Sequence, residues 1–325
     1  MNNVLVTGGA GYIGSHIIEL LIKKKYKVFI IDNLSTGYRK LISKRAKFYK
    51  LNINNFKKVK NIIKEKKIDS IIHLAASTTV SNSKKNNKLF YDNNVKGTSN
   101  LIKACKDTLV KNFIFSSTAA IYQDSRKKVK ESSRIKPQSI YGLTKLKAEK
   151  IIIKELKKLK INFAILRFFN VVGASPSKKI GPLKKNDNLF KNISMALFKS
   201  NRKIMIYGNN LDTKDGTCIR DYIHVSDISE IHLKILNKIS KLKKSVVLNC
   251  GYGKGVSVKE VVNGFIKFTK KEVNIIILKK RPADIVSSIA NINKLKNFIK
   301  WKPKYSNLNV MIRDCLIWEK NLNTN

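Results

Sequence analysis

The chain has 325 residues, enough for one large or two modest domains, and 43% of them are hydrophobic, enough for a full core; general disorder is excluded. No apolar run approaches the ~18 residues needed to span a bilayer. The four cysteines form no C-x-x-C pair, which argues against a zinc centre or a disulfide framework and for a reducing cytoplasm. Lys plus Arg number 67 against 21 Asp plus Glu, a formal net charge of +46. Such a charge draws polyanions. The lysines, however, run through the whole chain beside Ile and Asn, as an AT-rich genome would favour, and form no tail or stripe. No specific nucleic-acid partner is therefore expected. The opening Met1-Asn2-Asn3 places no cationic lead before a long apolar stretch, so no secretory signal is expected.

In chain order, short β-branched runs alternate with helical patterns. Strands are predicted over 3–7, 27–32, 46–51, 69–74, 111–117 and 161–169, and helices over 12–24, 55–66, 88–106 and 139–158. This alternation predicts an α/β fold with a doubly wound parallel sheet covered on both faces. The 139–158 helix offers Leu146, Ile151, Ile152, Ile153 and Leu156 as its packing face. After about residue 170 the rhythm loosens. Pro176, Gly181 and Pro182 mark a long loop. Helices near 188–199, 227–240, 257–269, 291–299 and 307–321 and strands at 203–207, 245–250 and 273–278 follow. The expected division is a dinucleotide domain over 1–169, with 217–240 folding back onto it, and a smaller α/β substrate domain over 170–325.

Three features carry chemistry. Gly8-Gly9-Ala10-Gly11-Tyr12-Ile13-Gly14 follows the first strand and opens a helix. Glycines permit the tight turn and let backbone N–H groups approach a pyrophosphate, which the helix N-terminus also attracts. Asp32 ends the second strand 18 residues after Gly14, close to the usual position of an acid that accepts from a ribose 2′-OH and repels a 2′-phosphate. NAD is favoured on that ground, while Arg39 and Lys40 keep NADP open. Tyr141 and Lys145 stand four apart at a helix start. A neighbouring ammonium and an oxidised nicotinamide are both expected to lower a phenol's pKa and make it a usable acid/base near neutral pH. Phe113-Ile114-Phe115-Ser116-Ser117-Thr118 is an apolar strand ending in three hydroxyls, at the carboxyl end that in a parallel sheet faces the ligand crevice. A hydroxyl there can relay a proton to Tyr141. Y-x-x-x-K alone is common by chance in so lysine-rich a chain. His16, His73, His224 and His232 show no ligand spacing, so no metal is expected and structural or surface roles are.

With these motifs in place the chain resembles the extended short-chain dehydrogenase/reductases. The resemblance runs over nearly the whole chain. Its most specific blocks are Asp215-Gly216-Thr217-Cys218-Ile219-Arg220-Asp221-Tyr222-Ile223-His224-Val225 and Arg281-Pro282-Ala283-Asp284. It implies a Rossmann-like NAD domain, a small C-terminal substrate domain and a homodimer joined through a helical face. The implied reaction is reversible C4 epimerisation of a UDP-hexose through a transient 4-keto sugar with tightly bound NAD. Tyr141 would then be the acid/base, Lys145 would tune it and bond the nicotinamide ribose, and Thr118 would hold O4. Cofactor contacts are implied at Gly8, Gly11, Tyr12, Ile13, Gly14, Asp32, Asn33, Asn52, Ile53, Leu74, Ala75, Asn93 and Lys145. Substrate contacts are implied at Thr118, Tyr141, Asn170, Asn188, Leu189, Met205, Tyr207, Arg220, Arg281, Asp284 and Ser288.

Departures from the family's pattern are Asn52 where Asp is common, Phe168 where Tyr is frequent, and Tyr122-Gln123 for Tyr-Gly. Ala119-Ala120 after Thr118 cannot transfer protons, which argues against 4,6-dehydration. Ser288 aligns with a pocket-wall residue that is large in narrow-specificity relatives. Its small side chain leaves room for a 2-acetamido group unless neighbours refill the space. Epimerisation of UDP-N-acetylglucosamine, UDP-glucuronate or a UDP-pentose stays open, as does a basic, non-catalytic RNA-binding protein on the same scaffold.

Overall fold

A computed structural model describes residues 3–78, 86–183, 188–242, 245–281 and 284–324. Pro282 and Ala283 of the second diagnostic block lie outside the described residues. The chain divides into two compact units. The first comprises 1–121, 137–167 and 229–248, the second 122–136, 168–228 and 249–325.

The first unit is built on strands β1 (Asn3–Thr7), β2 (Lys27–Asp32), β3 (Lys47–Lys50), β4 (Ser70–His73), β5 (Asn112–Thr118) and β6 (Asn162–Phe168). With Val246–Cys250 they form one seven-stranded sheet. Its order is Val246–Cys250, β6, β5, β4, β1, β2, β3. Registers from β3 through β2, β1 and β4 to β5 are parallel. The chain winds outward from β1 to β3, then crosses back to β4 and winds the other way. The carboxyl ends of β1 and β4 thus flank the switch point, where doubly wound sheets bind ligands.

Helix positions follow from spacing and caps. Helix α1 (Tyr12–Lys23) buries Ile17, Ile18 and Leu21. In α2 (Phe56–Glu65), Val59, Ile62 and Ile63 face inward, lysines face water, and Asn55 caps the helix by accepting from Lys58 N. The predicted continuous 88–106 helix is instead α3 (Asn87–Tyr91), a π turn over Asp92–Lys96, and α4 (Gly97–Ala104). Helix α5 (Ile140–Lys158) starts at Ser139, whose hydroxyl accepts from Gly142 N at 3.1 Å. Its buried positions are Lys145, Ala148, Glu149, Ile152 and Leu156, not the purely apolar set expected. Two ionic residues occupy the face turned to the sheet because each finds a polar partner there.

The second unit contains β7 (Asn170–Val172), β8 (Lys203–Tyr207), β9 (Ile219–Arg220) and β10 (Tyr222–His224). Counting Val246–Cys250 as β11, it continues with β12 (Val256–Ser257), β13 (Asn274–Leu278) and β14 (Ser287–Ser288). β7 pairs with β10, β8 with β13, and β9 lies between β12 and β14. Its helices are α6 (Leu189–Leu197), α8 (Val258–Thr269), α9 (Asn293–Ile299) and α10 (Leu308–Thr324). Helix α7 (Val225–Leu242) leads out of this unit into the first.

The division differs from a single cut at 169. Residues 122–136 belong to the second unit because their polar groups are satisfied there. Val129 N donates to Ile289 O, Asn291 N donates to Val129 O, and Glu131 accepts from Asn249 N. The stretch that rejoins the first unit is 229–248, later than the expected 217–240.

Candidate active site

The cofactor loop is shaped by close approach. Gly8 has φ +73°, and a Cβ there would lie 2.6 Å from Ala75 N; one on Gly14 would lie 2.5 Å from Gly8 O. Only glycine fits either position. The N-cap of α1 is Gly11, which offers no capping side chain, so its first turn is open to an anion. Asp32 is buried beside this loop. Its carboxylate accepts from Ala10 N at 3.0 Å and Leu34 N at 2.8 Å, while burial raises its pKa. These features fit a dinucleotide on grounds internal to the chain.

The other expected cofactor residues sit in the same unit. Leu74 N donates to Thr7 O and Ala75 N to Thr7 Oγ1. Ile53 is buried under Gly97, where a Cβ would come within 2.5 Å of it. Asn93 lies in the π turn and donates through Nδ2 to Ser77 Oγ at 2.9 Å. Asn33 and Asn52 each turn Oδ1 back on the local chain, accepting from Ser35 N and Asn54 N. The Asn52 side-chain oxygen is thus engaged in a local turn.

Thr118 ends β5, and its hydroxyl bonds the phenol of Tyr141 and accepts from Ala120 N at 3.1 Å. Gly142 lets the start of α5 press against this turn, since a Cβ there would lie 2.4 Å from Ala120 O. One helical turn on, Lys145 Nζ donates to Ser116 O at 2.7 Å and sits 4.6 Å above the Phe115 ring. The structure therefore brings Thr118, Tyr141 and Lys145 together at the carboxyl end of β5.

Burial works against the lowered phenol pKa expected with a neighbouring ammonium and an oxidised nicotinamide. Burial pushes Tyr141 up to about 12, only partly offset by the Thr118 hydrogen bond. Burial also lowers Lys145 to about 7, against the opposing pull of the Glu149 carboxylate. Lys145 is turned onto a carbonyl and a ring, so a phenolate would depend chiefly on the positive charge of a bound nicotinamide.

Sequence reasoning missed two buried networks under this site. Thr98 donates to Asn94 O at 2.7 Å, so its oxygen accepts from His73 Nε2 at 2.9 Å. His73 Nδ1 then accepts from Thr7 Oγ1 at 2.6 Å. This assigns a neutral imidazole, and burial together with Lys145 lowers its pKa to about 3. The second network joins Ser117 and Arg167 to Glu149. Arg167 reaches the carboxylate through Nε at 3.1 Å and Nη2 at 2.7 Å, and the Ser117 hydroxyl donates to Oε1. The sequence signal was Arg167 inside the apolar run 163–169.

In the second unit, Arg281 lies bidentate on Asp284 at 2.8 and 2.9 Å, with its guanidinium 4.9 Å above the Tyr207 ring. Arg220 reaches the same carboxylate at 3.7 Å. Met205 is exposed, with its sulfur 4.0 Å from the Tyr207 hydroxyl. Half-buried Ser288 pairs with Arg220 in the β14–β9 register. Asn170 is exposed and donates through its backbone to Asp221 O. Asn188 caps α6, accepting from Lys191 N at 3.2 Å and donating to Val171 O at 2.9 Å, with Leu189 next to it. Five expected substrate residues thus cluster around Asp284, while Asn170, Asn188 and Leu189 are placed around β7. Among the described residues no group of His, Cys, Asp and Glu could hold a metal ion.

Comparison with known proteins adds independent findings. The model of the NAD dependent epimerase/dehydratase family matches residues 4–251. A UDP-glucose 4-epimerase of Lactobacillus helveticus is 37% identical over 319 residues, spanning 98% of this chain and 97% of its own. A UDP-glucose-4-epimerase from Stenotrophomonas maltophila, solved with NAD and formylated UDP-arabinopyranose, superposes with a TM-score of 0.95 at 31% identity, covering 100% and 99% of the two chains. The UDP-Glc/GlcNAc 4-epimerase of Campylobacter jejuni gives 0.84 at 37% identity, covering 99% and 100%.

Proposed function

Because this chain belongs to the NAD dependent epimerase/dehydratase family, we propose that it inverts C4 of a UDP-hexose, interconverting UDP-glucose and UDP-galactose with tightly held NAD. The observation that carries this reading is the joined Thr118–Tyr141–Lys145 set in the unit that also holds the glycine loop and Asp32. The intact set and the full-length relatives favour it over a non-catalytic RNA-binding role.

The first turn of α1 and Asp32 hold the pyrophosphate and adenosine ribose of NAD, with Leu74, Ala75 and Asn93 completing the site. When bound, NAD supplies a reversible hydride acceptor and a positive charge. That positive charge would favour the Tyr141 phenolate, which takes the 4-OH proton as the carbonyl forms and returns it as the alcohol is restored, so no net proton is used. Thr118 orients that phenol, and Lys145 stays fixed by Ser116 O. In the second unit Arg220 and Arg281 suit a diphosphate and Asp284 a ribose diol.

The direct test is purified protein with UDP-galactose and no added NAD. UDP-glucose should form; no conversion even after NAD is supplied would count against the reading. UDP-N-acetylglucosamine in the same assay tests the room left by Ser288, and the idea of broad substrate use fails if only UDP-galactose reacts.

A homodimer completes the proposal. Leu89, Tyr91 and Leu143 are 52%, 40% and 40% exposed on α3 and α5, which contact each other, and such apolar exposure is suited to a partner helix face. Sedimentation should give twice the chain mass, and Leu89→Asp/Leu143→Asp should give a monomer. The four cysteines are buried thiols outside any disulfide, which supports a cytoplasmic setting. No described helix is long and apolar enough to cross a membrane.

A further inference from the structure

Helix α10 meets one segment of the second unit along a single face. Its Cys315 lies in hydrogen-bond contact with the backbone of Gly173. One turn on, Trp318 Nε1 donates to Pro182 O at 2.8 Å, and its ring occupies the space where a Gly181 Cβ would come within 2.7 Å. Beside it, Glu319 Oε2 meets Lys191 Nζ at 2.5 Å, with side chains only 7% and 2% exposed. Asn323 Nδ2 holds the Glu319 carbonyl at 2.7 Å.

A buried ion pair is a poor source of stability, since both charges lose their water and an apolar pair of similar volume does as well. What it supplies is direction. Lys191 is the third residue of α6. Its backbone N–H is the donor that Asn188 Oδ1 caps, and the same Asn188 amide donates to Val171 O. The Glu319 carboxylate therefore holds the residue that sets the Asn188 amide.

We infer that Lys191 and Glu319 are positioning residues for the nucleotide: the pair fixes the start of α6 so that Asn188 and Leu189 are presented to the uridine side of a UDP-sugar. This rests on the UDP-sugar reading above. The C-terminal helix, which carries none of the expected contact residues, thereby contributes to substrate affinity.

The test uses the full chain with its bound NAD. Lys191→Met/Glu319→Met removes both charges, so neither is left buried alone. UDP binding by calorimetry and KM for UDP-galactose should weaken about tenfold, a coupling within the usual range for a contacting pair. kcat should stay within about twofold, and NAD content should be unchanged. A variant that binds UDP as the wild type does would make the pair mere packing and overturn the inference. So would a fall in kcat matching the rise in KM, or loss of NAD. If the double variant does not fold, Glu319→Gln is read by the same measurements. A wild-type chain that fails to bind UDP overturns the functional reading itself, and shows this before any variant is made.

Discussion

Tyr141→Phe should lower kcat for UDP-galactose by about 10³-fold, the usual worth of a positioned acid/base, while leaving the NAD content of the purified protein unchanged. The ring is kept, so packing at the start of α5 is kept. Only the phenol hydrogen bond to Thr118 is lost. Thr118→Val should cost less, because it removes the orienting partner and leaves the group that moves the proton. The ordering is the informative part. Among the described residues Tyr141 is the titratable group joined to Thr118, so it is the one placed to take the 4-OH proton. If Tyr141→Phe retains a rate within about tenfold of wild type, the acid/base assignment fails. Rates come from chromatographic product analysis, and NAD content from absorbance after denaturation.

The second large effect is on stability. Arg167→Met leaves the Glu149 carboxylate, 2% exposed, with the Ser117 hydroxyl and no guanidinium. Removing one partner of a buried pair typically costs about 3–5 kcal/mol. For a chain of this size that is a fall of roughly 10 °C in the thermal midpoint. Arg167→Met/Glu149→Gln should recover most of the loss, since no lone charge is then buried. Calorimetry of the two variants decides it, and equal melting of single variant and wild type would mean that Glu149 is satisfied by other groups. The double variant carries a chemical side effect. The Glu149 carboxylate raises the Lys145 pKa, so removing it drives the amine further toward its neutral form. Stability would return while the ammonium at Ser116 O weakens.

Much of this molecule can be read from residue order, and the exceptions share a cause. Strands 3–7, 27–32 and 203–207 stand where their alternation places them. The two- and three-residue strands at 170–172, 219–220, 222–224, 256–257 and 287–288 were not foreseen, because a period of two needs more residues than that to show. The glycine loop and the Tyr141/Lys145 pair were legible because each is a local pattern with a local physical reason. The Glu149–Arg167, Lys191–Glu319 and Thr7–His73–Thr98 partnerships were not. Their members lie 18, 128 and 66 or 25 positions apart, and no local periodicity encodes such a pairing. The burial of Lys145, which lowers its pKa, was hidden for a related reason: the residue is visible in the sequence and its surroundings are not.

The π turn over Asp92–Lys96 has a consequence for how this chain can change over generations. A π turn holds one residue more than the α ladder around it. Deleting one residue within 92–96 would return the stretch to α geometry with its flanks nearly in phase, but would re-aim the side chains within it. Asn94 ties this turn to the Ser77 backbone and to Thr144 on α5, so re-aiming it would break three bonds together. The stretch can accept many exchanges of residue identity at its outer positions. It is far less forgiving of a change in length, and a single-codon deletion there carries the weight that elsewhere would need several substitutions.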